Sequence, residues 1–223
     1  MLTATTNLGS FTLPSAWFEI TLKQFAALYE KRITDEEGKV SFNENDAAKS
    51  LVSDLNVYNQ ADASEIEYLL KEWLNTLGPM PDWLLEEAPY TIAGVRPPVE
   101  IGACTQLQVE SAKMIVSDMI EEQNTVDYIV LAIPMIAIFL YPLITKKPLT
   151  DTDQIEEIIP IIEALPVTEG LPLAAFFLLN LHSLKRTMTL SFNVEYPKPS
   201  LKSRLMTKCR NWWSSRKWRR SAQ

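Results

Sequence analysis

The chain has few of the residues that build metal sites, disulfide frameworks and nucleophilic active sites. Its 223 residues include two cysteines, Cys104 and Cys209, and one histidine, His182. Two isolated thiols make neither a disulfide framework nor a zinc-ligand spacing. A single histidine cannot anchor a typical zinc site or a histidine-based triad. We therefore expect no metal and no cofactor, and two reduced cysteines.

Glycine is also scarce, with six residues that are never closely spaced. That spacing excludes a phosphate-cradling loop and a dinucleotide-binding fingerprint, and the low number favours helices over a sandwich of short strands. Acids are plentiful, but neighbours such as Glu121 and Glu122 point to different parts of a helix surface and make no acid–base pair. The sequence names no catalytic residues and predicts a protein that is not an enzyme.

The N-terminus has no basic residue before Lys23, so it lacks the charged start of a secretory signal. We expect a protein that is made and used inside a cell. Apolar residues make up 47% of the chain and charged residues 22%, which is close to the average for globular proteins and predicts a genuine core.

Helix start signals recur along the chain. Thr21 with Gln24, Ser64 with Glu67, and Thr105 with Gln108 each have the spacing of a capping box. Apolar periodicity then predicts helices from Thr21, across 47–57, 65–77 and 105–122, and later across 128–145, 150–165 and 166–181. In the 150–165 helix, the expected inward residues are Ile155, Ile158, Ile159, Ile161 and Ile162, and the expected outward residues are Glu156, Glu157 and Glu163.

Two segments differ from this helical pattern. The N-terminal segment, 1–15, is polar and rich in threonine, which predicts a loose arm or a short strand. Residues 88–103 combine strand-forming side chains with Pro97 and Pro98, which predicts a short hairpin or an extended crossing. The predicted fold is mainly α: a multi-helix globular body with a minor extended or hairpin element and a basic C-terminal helix.

The most apolar stretch is Tyr128–Thr145, which contains no charged residue. A helix needs about 20 apolar residues to cross a bilayer core, so this stretch is at the lower edge of that length. Lys146 and Lys147 follow it. Crossing would require the acidic segment before Tyr128 to move outward without a signal sequence, and Pro134 and Pro142 interrupt the stretch. A core helix is the favoured interpretation, and a membrane anchor is the alternative.

Charge is divided unequally along the chain. Residues 184–223 carry eleven basic side chains and one acid, Glu195, which gives +10, whereas residues 1–183 carry 10 basic and 27 acidic side chains, which gives −17; the sum is the net −7. Such asymmetry between parts of a chain indicates a binding partner. We divide the chain into an acidic helical body, residues 1–187, and a linker with a basic Trp/Arg-rich tail, residues 188–223.

The tail is the candidate site. On a helix from Ser200, an apolar stripe that includes tryptophan would be surrounded by basic residues. The predicted partner-binding residues are Leu201, Lys202, Arg204, Leu205, Lys208, Arg210, Trp212, Trp213, Arg216, Lys217, Trp218, Arg219 and Arg220. Such a segment can dock on an acidic protein surface, including this chain's own body. It can also bind nucleic acid or rest on an anionic membrane.

The segment LPSAWFEITLKQF resembles the start of a group of tailed-bacteriophage proteins. In that group, a proline, a tryptophan and an E-[IV]-T stretch lead into a helix that ends in an aromatic residue. The matching residues are Pro14, Trp17, Glu19, Ile20, Thr21, Gln24 and Phe25. The later hydrophobic runs AIPMIAIFLYPL and LPLAAFFLLNL are also similar to helices of those proteins. The resemblance implies a small helical virion-structural or tail-assembly protein, in some cases a tail assembly chaperone.

Together these observations predict a non-enzymatic phage-type tail-assembly or virion accessory protein. It would bind a partner protein, or another copy of itself, through its helical body and basic tail, in the host cytoplasm or in the virion. The alternatives are a membrane-associated protein anchored by Tyr128–Thr145 and a nucleic-acid-contacting virion component. The sequence identifies no small-molecule substrate.

Overall fold

The structure is a computed structural model that describes residues 1–6, 9–34, 40–83, 86–123 and 127–188. Within these ranges the chain is mainly helical, as predicted, with two small antiparallel strand pairs. The α-helices are α1 (Leu22–Tyr29), α2 (Glu44–Leu51), α3 (Leu55–Gln60), α4 (Ala63–Leu77), α5 (Gln106–Gln123), α6 (Tyr128–Thr145), α7 (Ile159–Glu163) and α8 (Val167–Met188). Short 3-10 helices cover Trp17–Glu19, Ile101–Ala103 and Thr152–Glu157.

The N-terminal residues form a hairpin of strands β1 (Leu2–Thr6) and β2 (Gly9–Leu13), with Leu2 opposite Leu13 and Thr6 opposite Gly9. This agrees with the strand alternative for the N-terminal segment. The inner side chains Phe11 and Leu13 are buried, so the hairpin closes one side of the core. A second pair, β3 (Ile33–Thr34) with β4 (Val40–Ser41), follows α1.

Helix α6 lies at the centre of the body. Residues Met135 to Tyr141 are each at most 1% exposed, and the Phe139 and Phe177 rings of α6 and α8 are 4.3 Å apart. Among the residues that the structure describes, α6 is the one helix long and apolar enough to cross a membrane, with a mean hydropathy of 2.2, and 56% of it is buried inside the protein. This burial favours the core interpretation, because a span would present its apolar side chains to lipid.

Two predicted helix starts are confirmed in detail. Thr21 caps α1, since its hydroxyl accepts from the Gln24 backbone N–H and Gln24 Oε1 accepts from the Thr21 N–H at 3.0 Å. Thr105 and Gln108 make the same reciprocal bonds at the start of α5. The capping box is a local device, so the sequence alone was enough to place both starts.

Two predictions between residues 47 and 77 are wrong. The expected helix across 47–57 is broken into α2 and α3, because Asp54 caps α3 and the Ser53 N–H donates to the Thr12 carbonyl of β2 at 3.0 Å. The cap of α4 is Asp62, which accepts from the Ser64 N–H, rather than Ser64. Aspartate and serine are both good caps, and the helix begins at the earlier of the two, so Ser64 lies inside its first turn.

The predicted 150–165 helix is also wrong. The segment forms the 3-10 helix Thr152–Glu157 and the five-residue α7, with Pro160 in the first turn of α7. Proline has no N–H and its ring crowds the preceding turn, so it is best accommodated in the first turn of a helix, and here it marks a new start. As a result, the predicted inward and outward side chains are partly exchanged. Ile161 is 43% exposed, whereas Glu163 is 7% exposed and pairs with Lys23 at 3.0 Å.

Residues 88–100 are extended around a tight reversal, and the 3-10 helix Ile101–Ala103 follows. Ile92 and Val95 exchange both backbone hydrogen bonds at 2.9 Å, and the turn residues Ala93 and Gly94 have φ of 48° and 74°. Positive φ at both central positions defines a type I′ turn, the usual hairpin turn. The hairpin expected here is therefore a single bridge.

Candidate functional site

The residues predicted to bind a partner all belong to the basic tail, 200–223, which lies outside the described residues. The predicted basic helix from Ser200, the linker and the alternating segment that follows Met188 lie outside them as well. The structure therefore describes the acidic body, and the contacts described below belong to that body.

The Pro14–Phe25 segment, which carries the phage resemblance, fastens the hairpin to the helices. The Pro14 carbonyl accepts from Trp73 Nε1 of α4 at 2.7 Å, and Trp17 Nε1 donates to the Pro79 carbonyl at 3.1 Å. The Trp17 ring packs edge-on against Phe25 and Trp83, with centroids 6.2 and 6.0 Å apart. These contacts show that the aromatic residues of the motif pack against the body.

Glu19 in the same segment is held by three donors. Its carboxylate accepts from the Ser15 backbone N–H at 2.6 Å, from the Ser15 hydroxyl at 3.1 Å and from the chain's N-terminal ammonium at 2.7 Å. The hydrogen bond from the ammonium, followed by that from the Ser15 backbone, lowers the pKa of Glu19 below its usual value. Glu19 thus ties the start of β1 to the turn before α1.

The same segment is paired with the start of α8. The Leu22 N–H donates to the Leu165 carbonyl and the Val167 N–H to the Ile20 carbonyl, both at 2.8 Å. A Cβ built on Gly170 of α8 would lie 2.7 Å from Leu22 Cγ, so the lack of a side chain there permits this close approach. Sequence reasoning did not identify this contact, because nothing local marks Gly170 as a crossing point.

Asp127 is the centre of a polar cluster that joins α1 to α6. Its carboxylate caps α6 by accepting from the Ile129 N–H at 3.1 Å, and its Oδ2 lies 3.4 Å from Arg32 Nη2. The Arg32 guanidinium also lies over the Tyr29 ring, 4.2 Å from its centroid, and Nη1 donates to the Tyr29 carbonyl at 3.1 Å. Planar stacking combined with an ion pair is typical of arginine.

Two tyrosines of this cluster are held in their neutral form. Burial, then the negative charge and hydrogen bond of Asp127, raises the pKa of Tyr29 to about 12. Burial, then the charge of Asp82, raises the pKa of Tyr128 to about 12 as well. A phenol with a raised pKa is a poor base at neutral pH, so the arrangement suits a structural role in holding helix ends together.

The Gln108 side chain is buried and makes hydrogen bonds both at the start of α5 and to α6. While Oε1 completes the capping box of α5, Nε2 donates to the Ile138 and Phe139 carbonyls of α6 at 2.9 and 3.3 Å. The Ile138 carbonyl would ordinarily accept from residue 142, but Pro142 has no N–H. Gln108 therefore satisfies the carbonyl that the proline leaves without its helical partner.

Within the described ranges, no three His, Cys, Asp or Glu side chains are grouped so that they could hold a metal ion. Burial raises the pKa of the Cys104 thiol, which favours its protonated form.

Two runs of exposed acids lie on the described surface of the body. Asp151, Asp153, Glu156 and Glu157 are all exposed, and Lys147 lies 3.7 Å from Glu157. Across α2 to α4 the exposed acids are Glu44, Asp46, Asp54, Asp62, Glu67 and Glu72, where Lys49 and Lys71 are the bases. Both runs offer a basic segment several carboxylates that are accessible to solvent.

Comparison with known proteins gives no further guidance, because no protein-family model, curated protein or solved structure matches this chain.

Proposed function

We propose that this chain is a non-enzymatic accessory protein in the assembly of a larger structure. It binds a partner protein through its acidic helical body and its basic Trp/Arg-rich tail. The observation that carries the proposal is the charge division, +10 over residues 184–223 against −17 over the rest. Opposite charges on two parts of one chain attract different partners, or each other. Phage tail assembly is the setting implied by the resemblance of the Pro14–Phe25 segment.

The described body supports a binding role in two ways. Its polar clusters, centred on Asp127, Glu19 and Gln108, use their hydrogen bonds to hold elements together. Ten of its exposed carboxylates lie in the 151–157 and 44–72 runs. A basic tail can dock on such a surface in the same chain or in a second copy, and release when a partner competes for it.

The second candidate function is membrane association through α6. The observation in its favour is the hydropathy of Tyr128–Thr145, and the observation against it is the burial of Met135–Tyr141 in the core. Nucleic-acid contact is the third candidate, and it rests on the composition of the tail.

One experiment separates the three functions. Extracts containing the full-length chain, or a chain lacking residues 200–223, are tested for protein capture, for detergent-phase partitioning and for DNA binding over a salt series. The proposal expects a protein captured by the full-length chain alone, with the chain in the aqueous phase. Partitioning into detergent would favour the membrane function. Tail-dependent DNA binding that falls steeply with salt would favour the nucleic-acid function.

A further inference from the structure

The β1–β2 hairpin has two edges, and the structure covers them differently. On the β2 edge, the Thr12 N–H donates to Ser53 Oγ at 2.8 Å and the Thr12 carbonyl accepts from the Ser53 N–H at 3.0 Å. Helix α3 also packs against β2, with Val57 next to Gly9. The sheet has two strands, so among the described residues no strand pairs with the outer edge of β1.

The bonds of Thr12 identify which groups of β1 point outward. Because the Thr12 N–H and carbonyl point away from β1, Thr3 and Thr12 form a non-hydrogen-bonded pair. Such pairs alternate along an antiparallel ladder, so Thr5 and Ser10 form the next one. The backbone N–H and carbonyl groups of Thr3 and Thr5 therefore point to the open edge.

This edge carries none of the features that usually prevent strands from pairing. The strand LTATT contains no charge, no proline and no glycine, and it is a regular ladder without a bulge. Natural proteins protect exposed edges with lysine, proline, bulges or a covering element. Leu2 and Ala4 pack against the core while Thr3 and Thr5 are exposed, so the core determines which face of the strand is buried.

We propose that β1 pairs antiparallel with β1 of a second copy of this chain, on a two-fold axis at Ala4. Thr3 would then lie opposite Thr5 of the partner subunit, and these two symmetric pairs would exchange four backbone hydrogen bonds. The result is a four-stranded sheet in the order β2–β1–β1–β2. Registers centred on Thr3 or Thr5 would keep only the central pair within the strand, so the register at Ala4 uses the edge most fully.

The two-fold arrangement also suits the side chains. Ala4 would face Ala4 of the partner subunit in a non-hydrogen-bonded pair, where Cβ atoms are roughly 4.5–5.5 Å apart and a small residue fits. Threonine would lie beside threonine on the exposed face, a favourable cross-strand pair.

The association is expected to be weak. A five-residue strand buries well under the ~800 Å² per partner of a stable interface. The strand is uncharged, but each chain carries a net −7, so salt should strengthen this dimer by screening the repulsion. Docking of the basic tail on an acidic body has the opposite salt dependence, which distinguishes the two modes of association.

The test is sedimentation velocity of the full-length chain over a concentration series, at low and moderate salt. The decisive variant is Thr5→Pro, which removes an outward N–H and leaves the β1–β2 bonds in place. The matched control is Ser10→Pro, the same change in the cross-strand partner on the opposite edge. We expect wild type and Ser10→Pro to dimerise with rising concentration, more at moderate salt. At moderate salt, where docking of the tail on a second copy is weakened, Thr5→Pro should sediment as a monomer at every concentration.

Three further variants keep the result interpretable. Thr5→Lys retains the backbone N–H but places a charge on the edge, and it should also remain monomeric with unchanged circular dichroism. Ala4→Cys, in a chain with Cys104→Ser and Cys209→Ser, should form a disulfide-linked dimer on mild oxidation, whereas Leu2→Cys should not. A wild-type chain that is monomeric throughout, or a Thr5→Pro chain that dimerises as Ser10→Pro does, would overturn the proposal. A monomer that begins to dimerise once residues 189–223 are removed would also overturn it and would assign the edge to the chain's own C-terminal segment.

Discussion

At the scale of single residues, several positions in this chain serve contacts between elements that are distant in sequence. Gly170 is where α8 approaches Leu22 of α1, and a methyl group there would lie 2.8 Å or less from three Leu22 side-chain atoms. Gln108 bonds to α6 as well as to its own helix start. For each contact we predict the stability change of one substitution, and that change differs from the one expected from helix propensity.

We expect Gly170→Ala to destabilise the protein by about 1–3 kcal/mol, since overpacking a dense core outweighs the roughly 1 kcal/mol that alanine gains over glycine in a helix. The measurement is the free energy of unfolding in urea. Gly102→Ala is the control, because a Cβ there meets nothing within 4 Å, and it should change stability by less than about 0.5 kcal/mol. Equal effects for the two variants would contradict the crossing-point role of Gly170.

The two capping glutamines provide a matched pair. Gln108→Ala should cost about 2–3 kcal/mol, because it removes a cap and also leaves the buried Ile138 carbonyl unsatisfied. Gln24→Ala removes only the equivalent cap of α1 and should cost about 1 kcal/mol. Chemical denaturation of both variants gives the comparison. If Gln108→Ala were no more destabilising than Gln24→Ala, its bond to α6 would contribute nothing.

The contribution of Glu19 to stability should depend on pH. Its pKa in the folded state is lowered, so its contribution to stability is present above the unfolded pKa, near 4.5, and is lost as the pH falls through the lower folded value. We expect Glu19→Gln to be less stable than wild type at neutral pH, and the difference to shrink on acidification. Thermal unfolding between pH 7 and pH 3 measures it, and a difference that does not vary with pH would contradict the ionic role.

At the scale of elements, Asp127 connects the end of α1 to the start of α6. Asp127→Asn keeps a good N-cap but removes the charge, whereas Asp127→Ala removes both. The asparagine variant should lower the pKa of Tyr29 from about 12 and cost less stability than the alanine variant. Ultraviolet titration of tyrosinate absorbance against a Tyr29→Phe reference measures the first effect, and urea unfolding the second. An unchanged pKa of Tyr29 would mean that Asp127 is not its partner.

The elements that could be predicted from the sequence are those specified locally. Thr21 with Gln24 and Thr105 with Gln108 placed two helix starts because a capping box involves only neighbouring residues. The break between α2 and α3 could not be predicted, since Ser53 leaves the helix to bond Thr12 of β2, which is distant in sequence. The burial of Glu163 likewise depends on Lys23, which the local pattern does not reveal.

At the scale of the whole molecule, we propose two attractions of different kind. One is electrostatic, between the basic tail and acidic surfaces, and it weakens with salt. The other is the pairing of uncharged β1 edges, which salt strengthens through screening of the net charge. The candidate partner-binding residues in the tail were chosen from its composition, which is rich in tryptophan and basic residues. The partner could not be predicted, because it depends on the surface of another molecule or copy, which a single sequence does not contain.

The most direct measurement of the central claim is the dissociation constant between the full-length chain and its captured protein partner, with two matched tail variants. One variant changes Trp212, Trp213 and Trp218 to Ala and keeps the charge. The other changes Lys202, Arg204, Lys208 and Arg210 to Gln and keeps the aromatic residues. The account predicts that both variants bind at least tenfold more weakly than wild type. It also predicts that the salt dependence of binding is mostly lost in the second variant and kept in the first. Unchanged affinity in both variants would contradict a tail that docks on an acidic protein surface.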